Sequence, residues 1–72
     1  MPPLNKYVTI DAEILGGTPV FKGTRVAVQT LFDHLEESSI EEFLDGFPSV
    51  TREQAEGVIE QAASMFLSEI AA

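Results

Sequence analysis

The stretch "ESSIEEFLDGFPSVTREQAEGVIEQ", residues 37–61, carries the two signals that decide the fold. Each half opens with a helix-capping box, Ser39 with Glu42 in the first and Thr51 with Gln54 in the second. In such a box, side chain and backbone at a helix start satisfy each other's hydrogen bonds. The stretch therefore predicts two consecutive helices, each with a defined first residue.

The break between these helices is short. Gly46 and Pro48 end the first helix, because glycine terminates helices and proline cannot continue one. The predicted order is a short helix, a turn of three or four residues and a longer helix. This order is typical of a helix-turn-helix unit. Any other small helical bundle is the alternative, and both stay open at this point.

A further amphipathic helix precedes the stretch. Val28, Leu31, Phe32 and Leu35 recur at i, i+3, i+4 and i+7, which places them on one apolar face. The helix after Ser39 repeats this spacing with Ile40, Phe43, Leu44 and Phe47. Three helices are therefore predicted from residue 28 onward.

The residues before position 28 predict β structure. "YVTID", residues 7–11, is typical of a short strand. Val20–Phe21 and residues 24–26 flank Lys22-Gly23 as the two strands of a hairpin, with Thr24 opening the second strand. Gly23 supplies the positive φ that tight hairpin turns need.

The loop between strand and hairpin also has turn chemistry. Asp11 is placed to cap one helical turn, and Gly16 or Gly17 to end it in a left-handed conformation. Pro19 lacks an N–H and so is expected at the start of an edge strand. The fold class is therefore α+β and mostly α, in one domain over residues 1–72. Residues 7–27 supply the strand and hairpin, and residues 28–72 the three-helix unit.

The last helix is apolar over an unusually wide arc of roughly 200°, twice the usual core-facing stripe. One small domain buries only part of such an arc, so the C-terminal part is expected to meet another chain. The alternative is that the hairpin and the two short helices wrap around it completely. The expected partner contacts near the C-terminus are Met65, Phe66, Leu67 and Ile70.

Composition limits the classes of function. Four basic residues stand against twelve acidic ones, a net charge of −8, with one histidine and no cysteine. Disulfides and cysteine- or histidine-rich zinc sites are therefore excluded, and oligomerisation is the expected means of stabilising so small a core. No apolar run approaches a membrane span, and the N-terminal residues lack the features of a secretory signal. We expect a cytoplasmic protein that forms a homodimer or higher oligomer.

Enzymatic chemistry finds little support in the sequence. The glycine-rich loop is no phosphate cradle, because Lys22 precedes Gly23 and a strand follows where a helix is required. His34 has neither a second histidine nor a cysteine to act with, so a half-exposed surface histidine is expected. We predict no catalytic residue, cofactor or metal.

Six carboxylates lie between residues 33 and 45 with no basic residue among them. Paired acids hold Mg²⁺ or share a proton in some sites, but these lie on the outer faces of two short helices. A solvated face is one interpretation and a docking surface for a basic protein is the other. Three members of the group, Glu36, Glu37 and Glu41, are the predicted contacts for such a partner.

DNA recognition is the rival possibility. Arg52 and Gln54 begin the last helix and suit guanine and adenine respectively, with Lys22 and Arg25 available for the DNA backbone. Glu53, Glu56 and Glu60 share that helix and would repel phosphates. DNA binding by this acidic chain alone is therefore expected to be weak.

The motifs together resemble a known family. An acidic residue, Glu-Ile-Leu-Gly-Gly (residues 13–17), Pro-Val (19–20), Gly-Thr-Arg (23–25), Ser-Ile-Glu-Glu (39–42) and Phe-Pro (47–48) follow one another before the cap at Thr51. This order and spacing, over about residues 8–66, is similar to the domain-of-unknown-function family 433.

The resemblance implies a homeodomain-like or winged-helix-like three-helix fold preceded by a β-hairpin. It also implies a non-enzymatic antitoxin-like role, with a PIN-like ribonuclease toxin as the basic partner and regulation of the protein's own operon as a second task. A helix-turn-helix transcriptional regulator is the alternative function. In either case we expect the Arg25 guanidinium to pair with carboxylates of its own domain or of a dimer mate.

Overall fold

The computed structural model describes residues 6–71 and confirms the predicted α+β, mostly α, class. A two-stranded antiparallel sheet precedes three helices. The predicted domain limits at residues 1 and 72 lie outside the described residues. The elements are β1 (Val8–Thr9), a 3₁₀ turn (Leu15–Gly17), β2 (Val20–Phe21), α1 (Val28–Leu35), α2 (Ile40–Gly46) and α3 (Arg52–Ala71).

The sheet joins the two strands on either side of the glycine loop, with Val8 opposite Phe21 and Thr9 opposite Val20. The predicted second hairpin strand over residues 24–26 is absent, and only a single bridge from Val20 to Ala27 remains of it. The backbone N–H of Val26 explains the difference. It donates to the hydroxyl of Thr24 at 3.0 Å and so cannot donate to a neighbouring strand.

The loop between β1 and β2 follows the predicted turn chemistry at its glycines but not at Asp11. The carboxylate of Asp11 accepts from the N–H of Glu13 at 2.8 Å and its carbonyl from the N–H of Ile14, so Asp11 opens a turn but does not cap the 3₁₀ turn, whose N-cap is Ile14. Gly16 and Gly17 then take the left-handed conformation, with φ of 65° and 93°. Leu15 shares that conformation at φ 50°, which the sequence did not indicate, and its side chain is about half exposed.

Both capping boxes form as predicted. At α2, Ser39 and Glu42 exchange side-chain-to-backbone hydrogen bonds of 3.2 Å in both directions. At α3, the Thr51 N–H donates to Gln54 Oε1 at 3.0 Å and the Gln54 N–H donates to the Thr51 hydroxyl at 3.1 Å. These local bonds set the first residue of each helix.

The core lies between the sheet, the two short helices and the first half of α3. Phe21 of β2 and Phe43 of α2 are fully buried, with ring centroids 6.1 Å apart. From α3, only Ala55 and Val58 are buried. Residues 62–71 are all exposed, so α3 continues as a helix beyond the body that its first half completes.

Candidate interaction surfaces

The outer half of α3 presents an apolar face to solvent. The helix has 20 residues and is therefore about 30 Å long at 1.5 Å per residue. Four large apolar side chains on its outer half are between 51% and 66% exposed. We name them the C-terminal apolar surface: Met65, Phe66, Leu67 and Ile70.

An apolar groove of about 210 Å³ adjoins this surface. Residues of β1, α1 and the middle of α3 form its walls, and Met65 belongs to both groove and surface. Ile10, at the groove's edge, is 63% exposed. The lining residues are Val8, Ile10, Pro19, Val28, Phe32, Val58, Gln61, Ala62 and Met65.

The six carboxylates between residues 33 and 45 are all exposed, and we name them the acidic surface: Asp33, Glu36, Glu37, Glu41, Glu42 and Asp45. Glu42 serves the α2 cap, and Asp33 accepts from the side-chain amide of Gln29 at 3.0 Å. Within residues 6–71 no group of three histidine, cysteine or acidic residues is placed to hold a metal ion. The acidic surface is therefore a charged face that is exposed to solvent.

Arg52, at the start of α3, lies between two carboxylates. Its guanidinium is 3.2 Å from Glu41 and 3.0 Å from Glu56. Hydrogen bonds from the backbone N–H of Glu41 itself and then from Arg52 lower the pKa of the Glu41 carboxyl. Hydrogen bonds to Glu56 and then to Glu41 raise the pKa of Arg52. Arg52 therefore couples α2 to α3 electrostatically, although all three groups are largely solvated.

The predicted partner contacts fall on two separate surfaces. Glu41 contacts Arg52, the first residue of α3, while Ile70 lies near the other end of that helix. The separation along the helix axis is about 27 Å at 1.5 Å per residue. Of the predicted acidic contacts, Glu41 thus lies beside the start of α3, whereas the four apolar contacts lie on its outer half.

The four predicted DNA contacts differ in their hydrogen-bond and ion-pair partners. The side-chain amide of Gln54 accepts from Thr51 and donates to the Lys22 carbonyl at 2.9 Å, which brings Lys22 and Gln54 together. Arg52 is already paired as described above. Arg25 is exposed, and its guanidinium makes no hydrogen bond or ion pair with any residue in the described range. Among residues 6–71 Arg25 therefore has no carboxylate partner, and its predicted pairing with a dimer mate stays a prediction. The side chain that ties the turn to α3 is Gln54.

The other motif residues around the glycine loop have structural tasks. The Thr24 hydroxyl donates to the Phe21 carbonyl at 2.8 Å, and Gly23 has the positive φ of 78° that the turn requires. Pro19 immediately precedes β2, and its carbonyl accepts from the N–H of Val28 at 3.0 Å. These residues hold β2 against the start of α1.

Pro48, after α2, and His34, within α1, have surroundings that indicate structural roles. Pro48 follows α2 directly after Phe47, which is the last residue before the turn to α3. His34 is half-buried, with its ring 5.4 Å from that of Phe47 and 5.7 Å from that of Phe43. The hydroxyl of Ser38 donates to the backbone carbonyl of His34. The histidine is thus part of an aromatic cluster at the edge of the core, with a packing task.

One long-range contact, between Tyr7 and Gly57, was not predicted from the sequence. A β-carbon built on Gly57 in α3 would overlap the ring of Tyr7, whose Cδ2 is 2.9 Å from that position. Tyr7 packs against the core from the residue before β1. The signal in the sequence was a glycine inside a helix, which costs about 1 kcal/mol relative to alanine and so calls for a packing reason.

Fold and surfaces together define a small, mostly helical α+β protein whose distinguishing features are two outward-facing surfaces. The chain belongs to the family described as "Protein of unknown function (DUF433)", whose model matches residues 8–62. It is also similar to the crystal structure of a DUF433 member protein from Anabaena variabilis ATCC 29413. The two share 26% identity and a TM-score of 0.66, over 96% of this chain and 72% of that one. No curated protein matches the chain.

No helix within residues 6–71 has both the length and the apolar character that crossing a bilayer requires.

Proposed function

We propose that the protein is a non-enzymatic antitoxin-like module that acts in the cytoplasm by binding other protein chains. The observation that carries the proposal is the C-terminal apolar surface, whose four large side chains are more than half exposed. Apolar patches of this kind on a small soluble domain mark interaction sites. Its continuity with an apolar groove through Met65 extends the area available to a partner.

The proposed target is a PIN-like ribonuclease toxin, as the family resemblance implies. The acidic surface suits the basic face that a nuclease presents to RNA, since opposite potentials steer association and favour the right partner. With a net charge of −8, the whole chain attracts such a partner. Binding there would block access of RNA without any chemistry by this protein.

The test uses the nuclease encoded by the gene adjacent to this one, purified alone and assayed on a fluorescent RNA. We expect an equimolar amount of this chain to suppress cleavage. The Glu36→Lys/Glu37→Lys double variant should lose most of that inhibition, because it reverses charge within the acidic surface. Glu13→Lys/Glu60→Lys makes the same charge change at exposed positions elsewhere and should inhibit normally. Full cleavage in the presence of the unmodified chain would remove the proposal.

A second candidate function is transcriptional regulation by a helix-turn-helix unit. The hydrogen bond from Gln54 to the Lys22 carbonyl favours it, because it sets the hairpin turn beside the start of the proposed recognition helix. Against it, Arg52 is held between Glu41 and Glu56. DNA that displaced these carboxylates would bind with an affinity that falls steeply with salt, at a log–log slope of about −0.9 per phosphate contacted. A gel-shift titration of the operon's own promoter at several salt concentrations measures that slope, and absence of binding at low salt excludes this function.

A further inference from the structure

We propose that a second copy of this chain covers the C-terminal apolar surface, by antiparallel pairing of two α3 helices. This inference rests on one part of the proposed function, namely that the C-terminal apolar surface binds protein. Residues 62–71 lie beyond the protein's own core, and every one of them is exposed. Within residues 6–71, nothing buries the part of α3 that follows Met65.

Charge favours a like partner at this surface. Glu69 is the only charged residue among residues 62–71, in a chain with twelve acidic residues. Glu41 of the acidic surface contacts Arg52, which is about 27 Å from Ile70 along the axis of α3. Two copies can therefore bring these ends together with little repulsion, whereas a basic partner would find almost no complementary charge there. A nearly uncharged, apolar surface is best matched by another of the same kind.

The available area is sufficient for a dimer. Side chains of this size that are about half to two-thirds exposed each present roughly 100 Å². With Ile10 included, the exposed large apolar side chains at this end offer about 500 Å² per copy, or about 1,000 Å² for a symmetric pair. That is the lower limit for a specific interface. The groove beside Met65 adds further apolar contact area.

The register follows from helix geometry. A two-fold axis beside Phe66 would place Ile70 of one copy level with Ala62 of the other. Ala62 lines the groove, and its small side chain leaves room beside Val58 and Met65. Each Ile70 would then enter the groove of the opposite copy, and the same contact would occur twice, as in an isologous interface.

Sedimentation equilibrium on the full chain tests the association. We expect a dimer at about 100 μM. Phe66→Glu and Ile70→Glu should weaken dimerisation at least tenfold, because each buries a charge in the interface. Ser64→Glu adds the same charge on the opposite side of α3 and should change the dissociation constant less than threefold. Unchanged circular dichroism and urea midpoints at low protein concentration would show that the variants fold. A monomeric wild-type chain, or equal effects of Phe66→Glu and Ser64→Glu, would overturn the inference.

Disulfide trapping tests the direction of pairing. Because the sequence has no cysteine, only the introduced cysteines can form disulfides. Ala62→Cys and Ile70→Cys chains are mixed under mild oxidation, since a disulfide requires Cα atoms within about 7 Å. The antiparallel register predicts cross-links between the two variants and few within either one alone. Efficient self-linking of each variant, without mixed product, would show parallel pairing and contradict the proposed geometry.

The outcomes separate this inference from the antitoxin proposal. A dimeric chain that leaves the adjacent nuclease active keeps the dimer and removes the antitoxin function. A monomeric chain that inhibits the nuclease, and loses inhibition with Phe66→Glu, assigns the C-terminal apolar surface to the toxin and overturns the dimer.

Discussion

The side-chain amide of Gln54 donates a 2.9 Å hydrogen bond to the backbone carbonyl of Lys22, joining the hairpin turn to the first turn of α3. The same amide accepts from the Thr51 N–H through its oxygen. One side chain therefore caps a helix and anchors a turn 32 residues away. These two tasks depend on different atoms of the amide, so they can be separated by substitution.

Gln54→Glu should keep the cap and lose the anchor, because a carboxylate accepts from Thr51 but cannot donate to Lys22. We expect faster hydrogen exchange at the amides of Lys22 and Thr24, with the amides of α3 unaffected. Gln54→Ala removes both bonds and should lower the free energy of unfolding by about 1–2 kcal/mol. Hydrogen exchange followed by NMR and urea denaturation measure the two effects. Equal exchange at the turn in wild type and Gln54→Glu would show that the anchor contributes nothing.

Gly57→Ala should destabilise the protein even though alanine is the better helix former. The new β-carbon would overlap the ring of Tyr7, so the ring must leave its site against the core, at a net cost of about 1–2 kcal/mol. In a Tyr7→Ala background the obstruction is gone, and the same substitution should stabilise by up to about 1 kcal/mol.

Gly46→Ala provides the matched control for that pair. Gly46 is the last residue of α2, and a β-carbon there meets nothing within 4 Å. We expect a small gain in the free energy of unfolding, below about 1 kcal/mol. A urea-denaturation double-mutant cycle over positions 7 and 57 gives the coupling directly. Additive effects at those two positions would mean that the ring moves aside without loss.

Gly23→Ala should destabilise the turn for a different reason. Space is open around Gly23, but its φ of 78° is a conformation that residues with a side chain adopt only under strain. The expected loss in the free energy of unfolding is about 1–2 kcal/mol. Gly23→Asn should cost less, because asparagine enters this region more readily. Equal midpoints for the alanine and asparagine variants in thermal denaturation would point to a cause other than backbone strain.

The Glu41–Arg52 pair should make stability depend on pH in the acid range. The folded protein lowers the pKa of Glu41 from its ordinary value of 4.5. Its contribution is therefore present above that pH and is lost as pH falls through the lower, folded-state pKa. The difference in urea midpoint between wild type and Glu41→Gln should shrink as pH is lowered from 7 to about 3. A difference that stays constant over this range would contradict the assignment.

High salt offers an independent check on the same pair. Arg52 and Glu41 are both at least half exposed, so ions screen their attraction. We expect the stability difference between wild type and Glu41→Gln to be smaller in about 1 M NaCl than in dilute buffer. Persistence of the full difference would mean that packing, and not charge, accounts for it.

The sequence was most informative wherever the interacting groups are close along the chain. Both capping boxes, the ends of α2 and the left-handed glycines follow from residues within three or four positions of each other, and all were predicted. The hairpin was predicted only in part. Its first strand and its turn form, but a local bond from Val26 to the Thr24 hydroxyl competes with the second strand, and β1 pairs with β2 across the loop instead.

The long-range contacts around the candidate surfaces could not be predicted from the sequence. Nothing local assigns Arg52 to Glu41, Gln54 to Lys22 or Tyr7 to Gly57, because each pair depends on how separate elements pack. The sequence also did not indicate that Gln54 would be the residue that ties the hairpin turn to α3.

The sequence by itself determined the helices, their starts and the unusually wide apolar arc of the last one, because helical periodicity and capping act within a few residues. Only the tertiary structure decided where along α3 the core ends. The elements packed on α3 bury residues only in its first half, and residues 62–71 are exposed. That geometric limit, and not the composition of the helix, leaves the C-terminal apolar surface exposed.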